Sequence, residues 1–456
     1  MKLKLLFALL IVTISNAQTQ IGQDITLGAN FLDAVALSEN GNALAVSSGN
    51  VVQVYSKVSG NWVQVGQDIQ QYGYRIMLSN DGSTIAITSH GNLNLVRVYE
   101  NINNNWTQIG QDIAEDGHDI ALSGDGAVLA IAPMANSQFN IYKNISGTWT
   151  NIGSINTPGG AFSVCLSENG DTIATSPHPG TTIDINKFVN NKWVYSNTIV
   201  GNPNDVSTGY RMDMSSDGST IAVTTMAVYP NNMGSIKVYR YINNTWIQIG
   251  NAITSQVPSE NFGSNVAISG SGNVVIVGTR EDGNTGNGRV EIHEYSQGNW
   301  VKKGEVIDQN GNKIEWAIAL SRDGNSLALK SNGKIGPKPA TSTTDDGSNP
   351  DNYQGKGTSS EVRVYDISGI LSSDKFVLEN FKIYPNPATN VVNITNSDNM
   401  FINQVQVYDL SGKLITTQNF NNETEIQLNV ETLKPETYLI HLQTNQGITV
   451  KKLIKK

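Results

Sequence analysis

Cysteine, charge and long apolar runs are all scarce in this chain of 456 residues. Cys165 is the only cysteine, so no disulfide can form within the chain, and we interpret it as a small buried residue rather than a reactive thiol. Charged residues make up 15% of the chain and the formal net charge is −9, which argues against a nucleic-acid or anionic-membrane partner. No apolar run reaches the roughly 18 residues of a transmembrane helix, so we predict no transmembrane segment.

Signature motifs of several enzyme and metal-binding classes are also missing. There is no Gly-x-Ser-x-Gly nucleophile motif, no phosphate-binding loop and no Cys–His pair. The five histidines lack the spacing of zinc ligands. Calcium is the one metal left open, because residues 281–288 and 344–351 carry oxygen donors and glycines. We favour plain polar loops at both places and predict no cofactor.

The amino terminus has the pattern of a secretory signal peptide. A basic start precedes an apolar run from Leu5 to Ile14, and Ser15-Asn16-Ala17 offers a small-residue cleavage site. We therefore expect residues 1–17 to be removed, the mature chain to start at Gln18, and the protein to leave the cytoplasm.

Most of the chain is built from a repeat with three marks. The first is Leu-Ser-x-x-Gly or a close variant, with its glycine at Gly41, Gly82, Gly126, Gly170, Gly218, Gly272 and Gly324. The second is a Val-x-Val-Tyr segment or a close variant of it, which also recurs seven times and occurs last at Val362–Tyr365. The third is Trp-x-Gln-Ile-Gly-x-x-Ile, with its tryptophan at Trp62, Trp106, Trp149, Trp193, Trp246 and Trp300. The missing seventh copy lies at the other end of the chain, at Gln20–Ile25, without its tryptophan.

Each repeat unit predicts four short strands, which we label a to d along the chain. Asp-Gly turns between strands a and b supply the left-handed positions that tight hairpins need. Four strands in a period of 41 to 54 residues are typical of a β-propeller blade. We therefore predict an all-β chain with a seven-bladed β-propeller over residues 18–370. Its ring is closed when the N-terminal strand pairs with the last c strand, which leaves no unprotected blade edge.

The order of these marks resembles that of exported FG-GAP-like propeller proteins, the integrin-α-like group. Phe262-Gly263-Ser264-Asn265 stands closest to the Phe-Gly signature of that family, and the resemblance covers about residues 20–370. Most copies replace the Phe-Gly pair, and the calcium loop Asp-x-Asp-x-Asp-Gly of integrin blades is absent. WD-type propellers are the structural alternative, but their Gly-His and Trp-Asp marks are missing.

A different pattern begins after residues 371–378, which we interpret as a linker. Residues 379–456 contain alternating apolar runs separated by Asn, Gly and Pro, which predict a small Ig-like β-sandwich. Its marks are Tyr384-Pro385-Asn386-Pro387, the turn Tyr408–Lys413 and a basic end from Lys451 to Lys456. In order and spacing these segments resemble the type A C-terminal sorting domain of the type IX secretion system in Bacteroidota.

This resemblance implies a route of export and a partner. The partner is the type IX secretion machinery, and the product is secreted or held on the outer-membrane surface. The residues that match the sorting signal are Tyr384, Pro385, Asn386, Pro387, Gly412, Lys451 and Lys452. One departure is Glu436, where the family usually has glycine.

The candidate ligand site lies where the first strands of the predicted blades begin. These strands line the central channel, and their starts lie on the rim where the loops vary most in length. The candidate residues are Tyr74, Arg75, His118, Asp119, Tyr210, Arg211 and Trp316. In the other units, the position of Tyr74 is held by Asp33, Phe162 and Ser264. Aromatic faces with guanidinium groups suit a sugar or a carboxylate-bearing ligand. Inter-blade packing, with an Arg–Asp pair across the axis, is the simpler interpretation and the one favoured by sequence.

Three functions fit this pattern. The first is a secreted or cell-surface binding or adhesion propeller, whose ligand is a glycan or another surface protein. The second is a polysaccharide hydrolase or lyase with acid and base groups drawn from rim loops, and the third is a structural surface protein. Asp24, Asp68 and Asp112 share one repeat position, so we interpret them as turn residues rather than a catalytic set. Binding without catalysis is therefore favoured.

Overall fold

The computed structural model describes residues 18–27, 32–89, 94–133, 137–201, 207–226, 234–255, 262–279, 288–307, 313–332, 360–371, 381–396, 401–409, 414–444 and 447–456. All regular elements in these segments are β-strands, which confirms the predicted all-β class. The same segments contain no helix long and apolar enough to cross a membrane. The predicted signal peptide, most of the predicted linker and almost all of both candidate calcium loops lie outside the described residues.

Seven antiparallel sheets follow one another along the repeats. Before them lie two short strands, β1 (Thr19–Gln20) and β2 (Ile25–Leu27). Sheet 1 contains β3 (Leu32–Leu37), β4 (Ala43–Ser48), β5 (Val51–Val58) and β6 (Asn61–Gln64). Sheet 2 contains β7 (Arg75–Leu78), β8 (Thr84–Ser89), β9 (Leu95–Ile102) and β10 (Asn105–Gln108). Sheet 3 contains β11 (Asp119–Leu122), β12 (Val128–Ala132), β13 (Gln138–Ile145) and β14 (Thr148–Asn156).

The next four sheets repeat this order of neighbouring strands. Sheet 4 contains β15 (Gly160–Leu166), β16 (Thr172–His178), β17 (Thr182–Val189) and β18 (Lys192–Val200). Sheet 5 contains β19 (Ser207–Met214), β20 (Thr220–Met226), β21 (Ser235–Ile242), β22 (Thr245–Gln248) and β23 (Ile253–Thr254). Sheet 6 contains β24 (Phe262–Ile268), β25 (Val274–Thr279), β26 (Arg289–Ser296) and β27 (Asn299–Ile307). Sheet 7 contains β28 (Lys313–Leu320), β29 (Ser326–Asn332) and β30 (Ser360–Asp366), together with β1 and β2.

The Leu-Ser-x-x-Gly mark forms the turn between the first two strands of a sheet. In sheet 2, the Ser79 hydroxyl donates to the Asp81 carboxylate at 2.7 Å and accepts the backbone N–H of Thr84 at 2.9 Å. Gly82 closes the turn with a φ of 71°, in the left-handed region. A Cβ at Gly82 would also lie 2.5 Å from the Cβ of Ala43 in sheet 1. The repeated serine and glycine therefore serve both the turn and the contact between sheets.

The Trp-x-Gln-Ile-Gly-Gln mark joins one sheet to the next. Gln67, which follows β6, donates its side-chain amide to the carbonyl of Trp106 at 2.7 Å and accepts the N–H of Trp106 at 3.0 Å. The indole N–H of Trp106 donates to the carbonyl of Val65 at 2.9 Å. Two further pairs make the same bonds, Gln23–Trp62 and Gln111–Trp149. We call this arrangement the glutamine clamp.

Seven hydrophobic clusters lie between neighbouring sheets, and each cluster takes residues from two sheets. Between sheets 1 and 2, Val52 packs in the same cluster as Ile85. Between sheets 7 and 1, Val362 and the N-terminal Ile25 share a cluster with Leu44. Since each fully buried aliphatic side chain stabilises the fold by roughly 1.5–3 kcal/mol, these interfaces hold neighbouring sheets together.

A series of backbone hydrogen bonds also connects the seven sheets and returns to its start. It begins where the Glu39 N–H donates to the Asn80 carbonyl at 2.9 Å, and it ends where the Asp323 N–H donates to the Glu39 carbonyl at 2.9 Å. The donor–acceptor pairs between them are Asn80–Gly124, Gly124–Glu168, Glu168–Ser216, Ser216–Gly270 and Gly270–Arg322. We call this series the backbone ring. Its last bond joins sheet 7 to sheet 1.

The N-terminal strands complete sheet 7, as the sequence predicts. Strand β1 pairs with β30 so that Thr19 lies opposite Asp366, and β2 pairs with the same strand so that Ile25 lies opposite Val362. Between them, the Ile21 N–H donates to a carbonyl of β30 at 2.7 Å. The first and last strands of the repeat region therefore share one sheet.

Residues 381–456 form two further antiparallel sheets around one core. The strands are β31 (Phe381–Tyr384), β32 (Val391–Asn396), β33 (Ile402–Asp409), β34 (Leu414–Glu423), β35 (Glu425–Asn429), β36 (Thr437–Thr444) and β37 (Gly447–Ile454). The sheet orders are β31-β32-β35 and β34-β33-β36-β37. Val392 and Ile426 of the first sheet share a buried cluster with Val405, Ile440 and Leu453 of the second. The two sheets are therefore held together by a shared buried core.

Candidate functional site

An arc of four aromatic side chains runs across the starts of the first strands of sheets 2 to 5. The ring centroids of Tyr74 and His118 are 6.0 Å apart, those of His118 and Phe162 are 4.6 Å apart, and those of Phe162 and Tyr210 are 5.0 Å apart. His118 and Phe162 are buried, and the two tyrosines at the ends of the arc are partly exposed. We call these four residues the aromatic arc.

Two arginines lie against the tyrosines of this arc. The Arg75 Cζ is 4.8 Å from the centroid of the Tyr74 ring, and the Arg211 Cζ is 4.8 Å from that of Tyr210. Arg211 also lies 5.5 Å from the ring of Phe162. Cation–π contacts of this kind orient a guanidinium while its N–H groups can still bind a planar anion.

Asp119 is the carboxylate beside these groups, and protein donors already hold it. One oxygen, Oδ1, lies 3.8 Å from the Nε of Arg75. The other, Oδ2, accepts from the Ser163 hydroxyl at 3.0 Å and from the Val164 N–H at 3.1 Å. The predicted Arg–Asp pair therefore exists, but the expectation that it spans the axis is wrong. It joins neighbouring sheets 2 and 3, because the two residues follow each other in the series of strand starts.

Arg211 differs from Arg75 in its partners. Its Nη1 donates to the Tyr210 carbonyl at 3.1 Å, and among the described residues no carboxylate lies within ion-pair distance of it. Burial lowers the pKa of the Arg211 guanidinium, and the nearby positive charge of Arg75 lowers it further. Among the described side chains, two guanidinium groups and one carboxylate therefore lie together at these strand starts.

The first strands surround a cavity of about 190 Å³. Arg75, Asp119 and Arg211 line it near the strand starts, an end that we call the mouth. Glu39 and Arg322 line it near the backbone ring, which we call the far end. The candidate site is thus one end of a lumen rather than a groove on the outside of the sheets.

Arg322 narrows the far end and is well paired. Its Nη1 lies 3.2 Å from Oδ1 of Asp213 and 2.8 Å from the Met214 carbonyl, and its Nε lies 3.8 Å from Oε1 of Glu168. Burial opposes the charge of Arg322, but Asp213 and Glu168 raise the pKa of this guanidinium overall. The contacts extend from sheet 7 past sheet 6 to sheets 5 and 4, so Arg322 crosses the lumen.

Further carboxylates at the far end do not form a metal site. Burial raises the pKa of Glu39, and the negative charges of Glu168 and Asp323 add to this effect. In the described part of the chain, no three Asp, Glu, His or Cys side chains are grouped in a way that could hold a metal ion.

The repeat aspartates support the strands, as the sequence suggests. Asp112 accepts from Nε and Nη2 of Arg97, both at 2.7 Å, and these bonds lower the pKa of the Asp112 carboxyl to about 2. Asp24 accepts from Arg363 at 3.1 Å, and Asp68 accepts from a glutamine of β5 at 2.9 Å. The three carboxylates therefore already accept hydrogen bonds from protein side chains, and they lie on three separate sheets away from the cavity.

The structure therefore brings together six of the seven predicted site residues. The side chain of the seventh, Trp316, lies outside the described residues. Phe162 was not among the candidates, although it links the two halves of the aromatic arc. The available signal was its position in the repeat, which is the same as that of Tyr74 and Tyr210.

The C-terminal module has its own group of contacts between its opening motif and its last strand. Asn386 donates through Nδ2 to the Lys452 carbonyl at 2.7 Å and accepts the Ile454 N–H at 2.8 Å. The Ala388 N–H donates to the carbonyl of Ile454 at 2.8 Å. At the predicted departure, the carbonyl of Glu436 accepts the N–H of Lys455 at 2.9 Å. The opening motif and the basic end are therefore parts of one structural unit.

Residues 382–456 match the family of the secretion system C-terminal sorting domain. This domain marks proteins that the type IX secretion system exports, so the protein is secreted or attached to the cell surface. The sorting domain also implies an interaction with the type IX secretion machinery. No curated protein matches the chain.

The predicted sorting residues lie at two neighbouring places in the sorting domain. Tyr384 is 49% exposed at the end of β31, and the prolines Pro385 and Pro387 that flank Asn386 follow it. Lys451 is half-buried and Lys452 is exposed in β37. The remaining predicted residue, Gly412, lies outside the described residues.

Proposed function

We propose that residues 18–370 form a seven-bladed β-propeller of the FG-GAP-like type, followed by an Ig-like sorting domain over residues 379–456. The seven interfaces between neighbouring sheets and the closed backbone ring support seven blades. The pairing of β1 and β2 with β30 supports closure by the N-terminal strand. Each sheet is then one blade, and the cavity is part of the central channel.

This propeller is a secreted or cell-surface binding protein, and its ligand, a glycan or a surface protein, binds at the mouth. The observation that carries this function is Arg211, a guanidinium that faces the lumen beside the aromatic arc without a carboxylate partner among the described residues. A partly buried charge without a carboxylate partner costs stability, so its presence in a cavity favours a binding role. Packing alone would be served equally well by an apolar side chain.

Binding is preferred to catalysis because of the carboxylates at the mouth. A glycoside hydrolase needs two carboxyl groups on either side of the bond that it breaks. Asp119 is the one carboxylate that the described residues contribute there, and it is held by Arg75, Ser163 and Val164. A purely structural surface protein is less well supported, because it would not need Arg211 at this position.

A glycan array probed with the purified, labelled protein tests this function. We expect binding that Tyr210→Ala weakens about threefold to tenfold, since an aromatic contact is worth about 0.5–1.5 kcal/mol. Tyr195→Ala is the matched control, because Tyr195 is 62% exposed on the outer strand of sheet 4. Equal effects of the two substitutions would place the ligand elsewhere. Release of shorter products from any polysaccharide on the array would favour the hydrolase or lyase.

A further inference from the structure

We infer that the ligand at the mouth is a terminal acidic sugar, whose carboxylate is bound by Arg211 with help from Arg75. This inference rests on the proposed binding function and narrows it to one chemical class. The shared chemistry is a pyranose ring with a carboxylate, which uronic acids and nonulosonic acids both provide.

The partners of the arginines indicate where an anion binds. Arg97 and Arg322 each form an ion pair with a protein carboxylate. The Nε of Arg75 lies 3.8 Å from Oδ1 of Asp119, a carboxylate that also accepts hydrogen bonds from Ser163 and Val164. Arg211 has the Tyr210 carbonyl as its hydrogen-bond acceptor in the described part of the chain. Most of its N–H groups are therefore available to a carboxylate, which a guanidinium binds through two parallel hydrogen bonds.

The charges along the lumen favour one carboxylate of the ligand, and they favour it at the mouth rather than at the far end. Among the described side chains, Arg75 and Arg211 outnumber Asp119 at the mouth, and they are close enough that the charge of Arg75 opposes that of Arg211. A bound anion offsets this repulsion. The far end carries Glu39 and further acidic groups that Arg322 balances in part, so a second anionic group is repelled there.

The size of the cavity limits how much of the ligand enters. Its volume of about 190 Å³ is below the roughly 300–1,000 Å³ of sites that enclose drug-sized ligands. Arg322 crosses the far end, where the Ser216 hydroxyl also bonds to Glu168. We therefore expect the lumen to take a terminal unit, with the rest of the polymer outside the mouth.

The backbone at the mouth argues for a sugar rather than a peptide C terminus. Proteins that capture a peptide carboxylate do so with free backbone N–H groups. Here the Arg75 N–H donates to the Thr88 hydroxyl at 3.2 Å, and the Arg211 N–H donates to the Thr224 hydroxyl at 2.8 Å. The mouth also presents guanidinium edges and partly exposed tyrosine rings, which suit a carboxylate and a sugar face.

Isothermal titration of the purified protein with defined sugars tests this inference. The probes are glucuronic acid, its methyl ester, N-acetylneuraminic acid and glucose. We expect at least one of the two acids to bind, and the ester and glucose to bind at least tenfold more weakly. The acid that binds better identifies the source of the carboxylate.

Two arginine substitutions locate the site. Arg211→Gln should weaken binding of the acid by about tenfold to a hundredfold, the loss expected for hydrogen bonds to a charged group. Arg97→Gln is the matched control, because Arg97 pairs with Asp112 on sheet 2 away from the lumen, and it should leave affinity unchanged. Thermal unfolding of each variant establishes that it is folded.

The possible failures are distinguishable. If glucose binds as well as the acids and depends on Tyr210 but not on Arg211, the acidic-sugar inference is overturned while the binding function stands. Preferential binding of a short peptide with a free carboxyl terminus would overturn the choice of a sugar. If the folded protein binds no sugar on the array and no titrated probe, both the inference and the proposed glycan-binding function fail.

Discussion

Gln23 allows closure by the N-terminal strand to be tested with one substitution. Its side chain donates to the Trp62 carbonyl at 2.7 Å and accepts the Trp62 N–H at 3.1 Å. These bonds join the N-terminal segment, which pairs with the last strand of sheet 7, to the fourth strand of sheet 1. Gln23→Ala removes both bonds and leaves the backbone hydrogen-bond pattern of β30 intact.

The expected loss follows from the two hydrogen bonds. Each neutral bond contributes about 0.5–1.5 kcal/mol to stability. Since Gln23 is accessible to water, the lower part of this range applies, and we expect a total loss of about 1–2 kcal/mol. At about 2–4 °C per kcal/mol for domains of 150–250 residues, the melting temperature should fall by roughly 2–8 °C.

Urea unfolding and calorimetry of three variants provide the measurement. Gln67→Ala removes the same clamp at the junction of sheets 1 and 2, so it should match Gln23→Ala. Gln20→Ala is the control, because its amide bonds within its own segment, to Gly22 and Asp24, and it should change stability much less. If Gln67→Ala destabilises the protein while Gln23→Ala behaves like Gln20→Ala, the N-terminal strand does not close the circle.

Two other substitutions test polar contacts elsewhere. Burial opposes the charge of Glu291, but hydrogen bonds from His293, Lys302 and Arg289 lower its pKa from 4.5 to about 2. Because the folded protein holds the Glu291 carboxyl at this lower pKa, ionised Glu291 stabilises the fold above pH 4.5. This stabilisation is lost as pH falls towards 2 and the carboxyl becomes protonated. Glu291→Gln should therefore destabilise the protein at pH 7 and flatten this acid dependence in urea titrations. Glu305→Gln, at an exposed site, should not. Asn386→Ala removes the two bonds to Lys452 and Ile454 and should lower stability by about 1–2 kcal/mol. An unchanged urea midpoint would contradict the role of Asn386 in holding the last strand.

Much of the strand pattern could be predicted because its causes are local. The turn around Ser79 and Gly82 is formed within six residues, from a serine hydroxyl, an aspartate and a left-handed glycine. The pairing of β1 and β2 with β30 joins distant parts of the chain, and it could be predicted only by counting the copies of each mark. The glutamine clamp was present in the repeat as Gln-Ile-Gly-Gln, but its partner could not be identified, since Gln67 and Trp106 are 39 positions apart.

The candidate site was only partly predictable, because its contacts depend on how far apart the strand starts lie. Equivalent repeat positions indicated which side chains meet at the mouth, and six of the seven do so. The neighbouring rather than axial position of the Arg75–Asp119 pair depends on the radius of the circle of strands. The contact between Arg322 and Asp213 joins residues 109 positions apart on sheets that are not adjacent, and no local pattern indicates it.

The sequence by itself determined the strand class, the number of repeat units, the place of the missing strand and the export signal. These depend on short motifs whose hydrogen bonds and turns lie within a few residues of each other. Only the tertiary structure decided which charges find partners. Arg211 and Arg322 are the same residue type in the same lumen, yet Arg322 meets carboxylates from two other sheets and Arg211 meets two aromatic rings. The difference arises because ion pairing depends on distances of a few ångströms between chain segments that only the packing of the sheets around the cavity brings together.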